Sequence, residues 1–194
     1  GDQERIQRSF SVDEHLCLAC RLFGSSWLGS RLRIGDGRYL GAVGDGPRDK
    51  LQDFLAIDRF TGGGKDGAKF DAQLLWQPRF QVRLFLENPQ PWELGWLAMV
   101  LRDLQEGLLP VGFGKGKGFG LLKIERLRLV MGWLHADDHT TLAPATNGEP
   151  AEDGVYHIRT REVDDLAGLW NELGAAWAAE FVRACEANPM LADM

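Results

Sequence analysis

Disulfide chemistry is scarcely available to this chain: its 194 residues hold three cysteines, Cys17, Cys20 and Cys185. That is too few for a disulfide framework and points to a reducing, cytoplasmic setting. No apolar run is long enough to span a bilayer, because Gly, Arg or Glu interrupts each of them, so no membrane partner is expected. A basic-then-apolar leader is not visible either. An excess of positive charge is also missing. The net charge is −6, which argues mildly against a free-standing nucleic-acid binder, although a local basic groove suffices for binding whatever the average. Neither a serine-elbow nor a kinase signature occurs. What is present suits a globular protein: 44% hydrophobic and 26% charged residues, enough to bury a core, in one domain or a domain with an appendage. The chain starts at Gly1, which reads as a processed or excised piece.

Periodicity outlines the organisation. Leu22–Trp27 reads as a turn, and Arg31-Leu32-Arg33-Ile34 alternates like a half-buried strand that Gly35-Asp36-Gly37 ends. Residues 41–50 hold three glycines and Pro47 and read as a loop. Gly62-Gly63-Gly64 marks a flexible tip. Phe70, Ala72, Leu74 and Trp76 alternate with polar residues, as do Phe80, Val82, Leu84 and Leu86. Gln77-Pro78-Arg79 between the two runs predicts an antiparallel hairpin. Asn88 then caps a helix whose stripe is Leu94, Leu97, Leu101, Leu104 and Leu108, ending at Gly107 and Pro110. A strand over Leu121–Val130 switches parity near Glu125-Arg126, predicting a bulge. Residues 135–154 read as a loop, Val155–Thr160 as a short strand and Asp164–Glu186 as a helix. The order strand, helix, strand in the middle reads as the second half of a ferredoxin-like unit, with its first strand and helix not in this chain.

Three segments can carry chemistry. Glycines 112, 114, 116, 118 and 120 leave bare backbone whose N–H groups can face an anion, and Lys115 and Lys117 add charge. This suits a phosphate backbone held without base reading. The loop lacks the Gly-Lys-Ser/Thr ending of a P-loop, and the plain alternative is a glycine-rich turn with two solvated lysines. Arg59-Phe60-Thr61-Gly62-Gly63-Gly64-Lys65 joins an aromatic ring and two cations at a reaching tip, a combination that can stack a base and touch phosphates. Its alternative is an exposed hairpin end without a partner. His15-Leu16-Cys17-Leu18-Ala19-Cys20 offers three zinc ligands, His15, Cys17 and Cys20, at knuckle spacing. A structural site needs a fourth. Asp13 is available, Cys185 is far away on an apolar helix face, and a ligand upstream of Gly1 is expected. The alternative is two small buried cysteines beside a surface histidine. His135, Asp137, Asp138 and His139 form a weaker metal-site pattern in a polar loop.

In register, these segments resemble a known family. Cys20-Arg21-Leu22-Phe23-Gly24-Ser25-Ser26 followed by Ser30-Arg31-Leu32-Arg33-Ile34-Gly35-Asp36 is similar to the Leu-Phe-Gly segment and Arg-rich strand of the RAMP-type backbone subunits of type III CRISPR effectors. Ile57-Asp58-Arg59-Phe60-Thr61-Gly62-Gly63 through Gly67-Ala68-Lys69-Phe70-Asp71 is similar to their thumb and the strand after it. Gly112 through Gly120 is similar to their glycine-rich loop. The resemblance runs over about residues 15–130.

It implies an α+β, ferredoxin-like (RRM-like) RAMP fold lacking its first strand and helix here. The parts expected are a zinc-knuckle segment (1–30), a core (31–134) and a loop with a C-terminal helical appendage (135–194). Within the core lie a thumb hairpin (about 50–70) and the glycine loop (112–120). The resemblance further implies guide (CRISPR) RNA, target RNA and other RAMP-type subunits as partners, with the thumb wedging the guide–target duplex apart. Arg31, Arg33, Arg59, Phe60, Thr61, Lys65, Gly112, Gly114, Lys115, Gly116, Lys117 and Gly118 would contact RNA. Zinc gains support, since relatives that include fused single-chain type III effectors carry a Cys/His element before the Leu-Phe-Gly segment. Magnesium is expected only for target cleavage by the assembly. The cutting aspartate belongs to an N-terminal half outside this chain, and Asp36 and Asp58 match other positions. The competing expectations are a metal-dependent hydrolase on the His135–His139 loop and a protein-interaction domain that binds no RNA.

Overall fold

The computed structural model describes residues 16–42, 44, 49–134, 149–153 and 155–188. They fall in two compact units: the residues up to Arg31 together with those from Leu86 onward, and Leu32–Phe85.

In the first unit, α1 spans Leu18–Phe23. It forms because the Cys17 thiol at the N-cap accepts from the Cys20 N–H at 3.4 Å and Gly24, at φ 88°, ends it. A Cβ at Gly24 would lie 2.8 Å from the Ser30 nitrogen, so glycine is required there. The turn expected over Leu22–Trp27 is therefore shifted. Leu22 and Phe23 are helical, and the turn is built by Ser25, whose hydroxyl accepts from the N–H groups of Trp27 and Leu28 at 3.2 Å each. Leu18 and Leu22, four apart on one face, are buried.

Helix α2 spans Pro91–Gln105. Its cap is Gln90 rather than Asn88: the Gln90 N–H donates to Glu93 at 2.8 Å, and Trp92 Nε1 donates to the Gln90 side chain at 3.0 Å. Asn88 instead adopts φ 44°. The leucine stripe is also not the buried face. Leu94, Leu97, Leu101 and Leu104 are only partly buried, whereas Trp92, Glu93 and Gly95 are buried. The reason is Gly95, whose missing side chain lets the last helix approach until a Cβ would lie 1.9 Å from the Trp177 carbonyl oxygen.

That last helix is in three parts: α3 (Leu166–Leu169), a π-helical turn (Trp170–Gly174) and α4 (Ala175–Ala187). Asp165 caps it, accepting from the Ala167 N–H at 3.0 Å. Trp96 stacks on Phe181 at 5.2 Å and meets the edge of Phe23 at 5.6 Å, while Arg102 lies 4.4 Å over the Trp170 ring. The C-terminal helix, expected as an appendage, thus shares a core with α2.

Strands β7 (Leu127–Trp133), β8 (Glu149–Asp153) and β9 (Tyr156–Val163) form an antiparallel sheet with β9 central. The predicted strand at Leu121 begins only at Leu127, where the parity changes. Before it the chain is irregular, and the Ile124 N–H is satisfied by the Gln105 side chain at 2.8 Å. β8 falls inside the stretch expected to be loop.

The second unit is a nested antiparallel ribbon. Its strands are β1 (Leu32–Ile34), β2 (Arg38–Ala42), β3 (Asp49–Ile57), β4 (Gly64–Leu75), β5 (Pro78–Gln81) and β6 (Leu84–Leu86). β1 pairs with β6, β2 with β5 and β3 with β4. The hairpin expected between the 70–76 and 80–87 runs does not form. Asp49 pairs with Leu75 and Ala42 with Pro78, so Trp76-Gln77 is a kink, with Gln77 at φ 45°, and not a reversal. Gly41, at φ 111°, sits where the β2–β5 register shifts.

Candidate nucleic-acid interface

The ribbon closes on residues 58–63, and Asp58 builds the turn. Its carboxylate accepts from the Phe60 N–H at 2.8 Å, its carbonyl from Gly62 at 2.9 Å, and its own N–H donates to Gly63 at 2.8 Å. Gly62 supplies the left-handed φ of 69°, and the Thr61 hydroxyl accepts from Gly63 at 3.4 Å. The glycine run is thus a defined turn, with Gly64 already in β4 opposite Ile57. Phe60 is 100% exposed. It sits beside Arg59, with Lys65 one residue into β4, both exposed. Farther down, Phe54 stacks on Phe70 at 5.1 Å, and Lys50 lies 4.7 Å over the Trp76 ring.

Arg33 lies 4.4 Å over the Phe85 ring on the exposed surface. Arg31, expected beside it as an RNA contact, has another task. It forms an ion pair with Glu93 at 3.1 Å and donates to the carbonyls of Glu87 (3.3 Å) and Asn88. The Glu93 side chain is 0% exposed, so this cation neutralises a buried carboxylate. Three exposed arginines were missed from the sequence: Arg38, opposite Gln81; Arg79, opposite Gly41; and Arg83, whose carbonyl accepts from Gly35 at 2.9 Å. The signal was there, in the polar parity Arg79, Gln81, Arg83 running against Phe80, Val82 and Leu84.

The glycine loop closes where the Val111 N–H donates to the Gly120 carbonyl at 2.9 Å. Inside it Lys115–Lys117 makes one 3-10 turn between Gly114 and Gly118, both left-handed. A Cβ at Gly120 would lie 2.0 Å from the Val111 carbonyl oxygen, and one at Gly114 2.7 Å from the Phe119 ring. At Gly112, Gly116 and Gly118 a Cβ would meet open space. The expected row of outward amides is interrupted: Lys117 and Phe119 donate to the Gly114 carbonyl and Gly118 to that of Lys115. Lys115 is exposed, and Lys117 lies 5.7 Å from the centre of the Phe113 ring, itself 75% exposed.

The Cys17 and Cys20 thiols are 3.2 Å apart. The Cys20 N–H and thiol, both directed at Cys17, hold its pKa below the ordinary thiol value, and the same thiol contact raises that of Cys20. Burial pushes the Cys185 thiol up. His15 lies outside the described residues, as do Asp13, His135, Asp137, Asp138 and His139. Among the described residues no three metal-ligating side chains gather.

A family model for the RAMP superfamily matches residues 2–123. The chain belongs to the RAMP superfamily. It is a RAMP-type CRISPR subunit, and RNA binding within an effector complex is the general role of that family. Helices combined with antiparallel sheets agree with a RAMP ferredoxin-like fold. The match ends ahead of β7, so the three-stranded sheet and the last helix of this RAMP subunit lie beyond it. No curated protein matches the chain. Among the described residues no helix is long and apolar enough to cross a membrane.

Proposed function

We propose that this RAMP subunit is a backbone piece of a type III CRISPR effector, where it holds guide RNA and helps position target RNA for cleavage by the assembly. The observation that carries the reading is Phe60, a fully exposed ring beside cations on an ordered turn. Such a ring contributes nothing to a core. A nucleobase suits it, because every base has a π face, and the flanking Arg59 and Lys65 suit the adjoining phosphates. The exposed Lys115 of the glycine loop supports the same reading. The overall charge of −6 does not oppose it, since these cations act locally.

The test is to purify the tagged protein from its native host and sequence the RNA that accompanies it. Discrete short RNAs sharing a repeat-derived end are expected, with less RNA retained by Phe60→Ala. Clean protein without RNA, in low salt and with neighbouring subunits present, would overturn the reading.

Structural zinc on Cys17 and Cys20, with His15 as a third ligand, belongs to the same proposal. Two thiolates on a tetrahedral zinc stand about 3.8 Å apart, from Zn–S bonds of about 2.3 Å. The observed 3.2 Å requires only a small parting of the thiols. Metal analysis of the purified protein should find zinc in the wild type and less of it in Cys17→Ser.

A further inference from the structure

We propose that the side of the ribbon carrying Arg33, Arg38, Arg79 and Arg83 is a further contact strip, which grips single-stranded RNA by its phosphates. The proposal rests on the RNA-binding reading above and adds a site apart from the tip and the glycine loop.

Pairing groups these arginines with the exposed Arg59 and Arg126 and apart from five others. Arg31, Arg102, Arg128, Arg161 and Arg183 each form an ion pair with a carboxylate. Among the described residues none of the four strip arginines does, and all four are exposed. Their own neighbourhood is short of acid: Asp36 is the one carboxylate in residues 32–42 and 78–85, whereas residues 49–75 carry five aspartates, at 49, 53, 58, 66 and 71. Positive charge is thus gathered at one end of the ribbon, in a chain that is acidic overall.

Geometry makes the gathering directional. Arg79 lies in β5, Arg83 in the irregular link that follows it, and Phe85 in β6. Arg33 is brought onto the Phe85 ring, and Arg38 is paired with Gln81, which shares the parity of Arg79 in β5. Four residues of chain reach at most about 13 Å, so Arg79 and Arg83 are close enough to serve neighbouring phosphates of one strand. A guanidinium held over an aromatic ring keeps N–H donors that can meet a phosphate as a fork. An acidic protein segment would satisfy the charge, but regularly spaced phosphates alternating with rings fit a row of guanidinium groups beside an exposed aromatic better.

The test uses the full chain and a labelled oligouridine, with fluorescence anisotropy read across a salt series. The triple variant R38Q/R79Q/R83Q should keep the wild-type thermal midpoint and bind more weakly. Its slope of log affinity against log salt should be shallower by about 2, at about 0.7 per lost contact to a single strand. Should the triple variant fail to fold, Arg79→Gln alone should lower the slope by about 0.7. If the wild type binds and the variants match it in affinity and slope, the strip is overturned while the RNA reading stands. The strip is overturned in the same way if the variants keep RNA but lose association with a protein partner. If the wild type binds no RNA, the RNA reading falls first and the strip with it.

Discussion

The unit of α1, α2 and α4 and the ribbon from Leu32 to Phe85 use apolar residues in opposite ways. In the helical unit Leu18, Leu22, Trp92, Val163 and Leu173 are buried, and the aromatic rings pack on one another. In the ribbon Leu32 is the one apolar residue buried among those described, while Phe60, Ile57, Leu51 and Phe85 stand exposed. A two-stranded ribbon has no third layer to cover its faces, and on its own is of marginal stability. Exposed rings on such an element cost solvation unless something covers them in use. The helical unit buries its apolar residues and the ribbon leaves them exposed, as the proposed binding role requires, and substitutions should separate the two.

The largest effect is expected from Gly95→Ala. With the Trp177 carbonyl oxygen 1.9 Å from the new Cβ, α2 and α4 must move apart, and unfolding in denaturant should show a loss of about 3 kcal/mol or more. Next comes Arg31→Ala, which removes the ion pair that Arg31 makes with the buried Glu93. Because Arg31 is 25% exposed, we expect about 2 kcal/mol, below the full value for a buried pair. A result near zero would show that the Arg31–Glu93 pair adds little to the stability of this unit. Phe60→Ala should invert the pattern: stability within about 0.5 kcal/mol of wild type, with RNA binding about tenfold weaker, the worth of one stacked base. A large stability loss there would erase the distinction between the units.

The smallest effect concerns Glu172, which Arg161 grips by both carboxylate oxygens, at 3.0 and 2.5 Å. That grip holds the Glu172 pKa below its ordinary value. Its contribution is therefore fully present above the ordinary carboxylate range and is lost as pH falls through the lowered value. The thermal midpoints of wild type and Glu172→Gln should differ slightly at neutral pH and converge in acid.

Local rules served the sequence well where the answer was local. The aromatic tip, the position of the glycine loop and the end of α2 at Gly107 were all legible, because glycine conformation and helix capping act within a few residues. The strand partners were not. Two alternating runs separated by Gln77-Pro78-Arg79 look like a hairpin, yet each pairs with a strand upstream, and register is decided by contacts distant in the chain. Likewise the leucine stripe of α2 outweighed Gly95 by hydrophobicity, but close helix approach depends on the smallest residue and on which helix arrives. Arg31 and Arg33 look alike two residues apart. Only the arrival of Glu93 and of Phe85 gives one a buried carboxylate and the other a ring.

The sequence alone determined the family, the composition of the tip and the glycine loop, and the cations each carries, because these reside in contiguous residues. The tertiary structure decided which arginines are neutralised and which stay exposed, and which face of α2 is buried. It also decided that six short strands nest into one ribbon. Each of those outcomes depends on pairs far apart in the chain, whose meeting is governed by packing and backbone hydrogen bonding and is not written at either position.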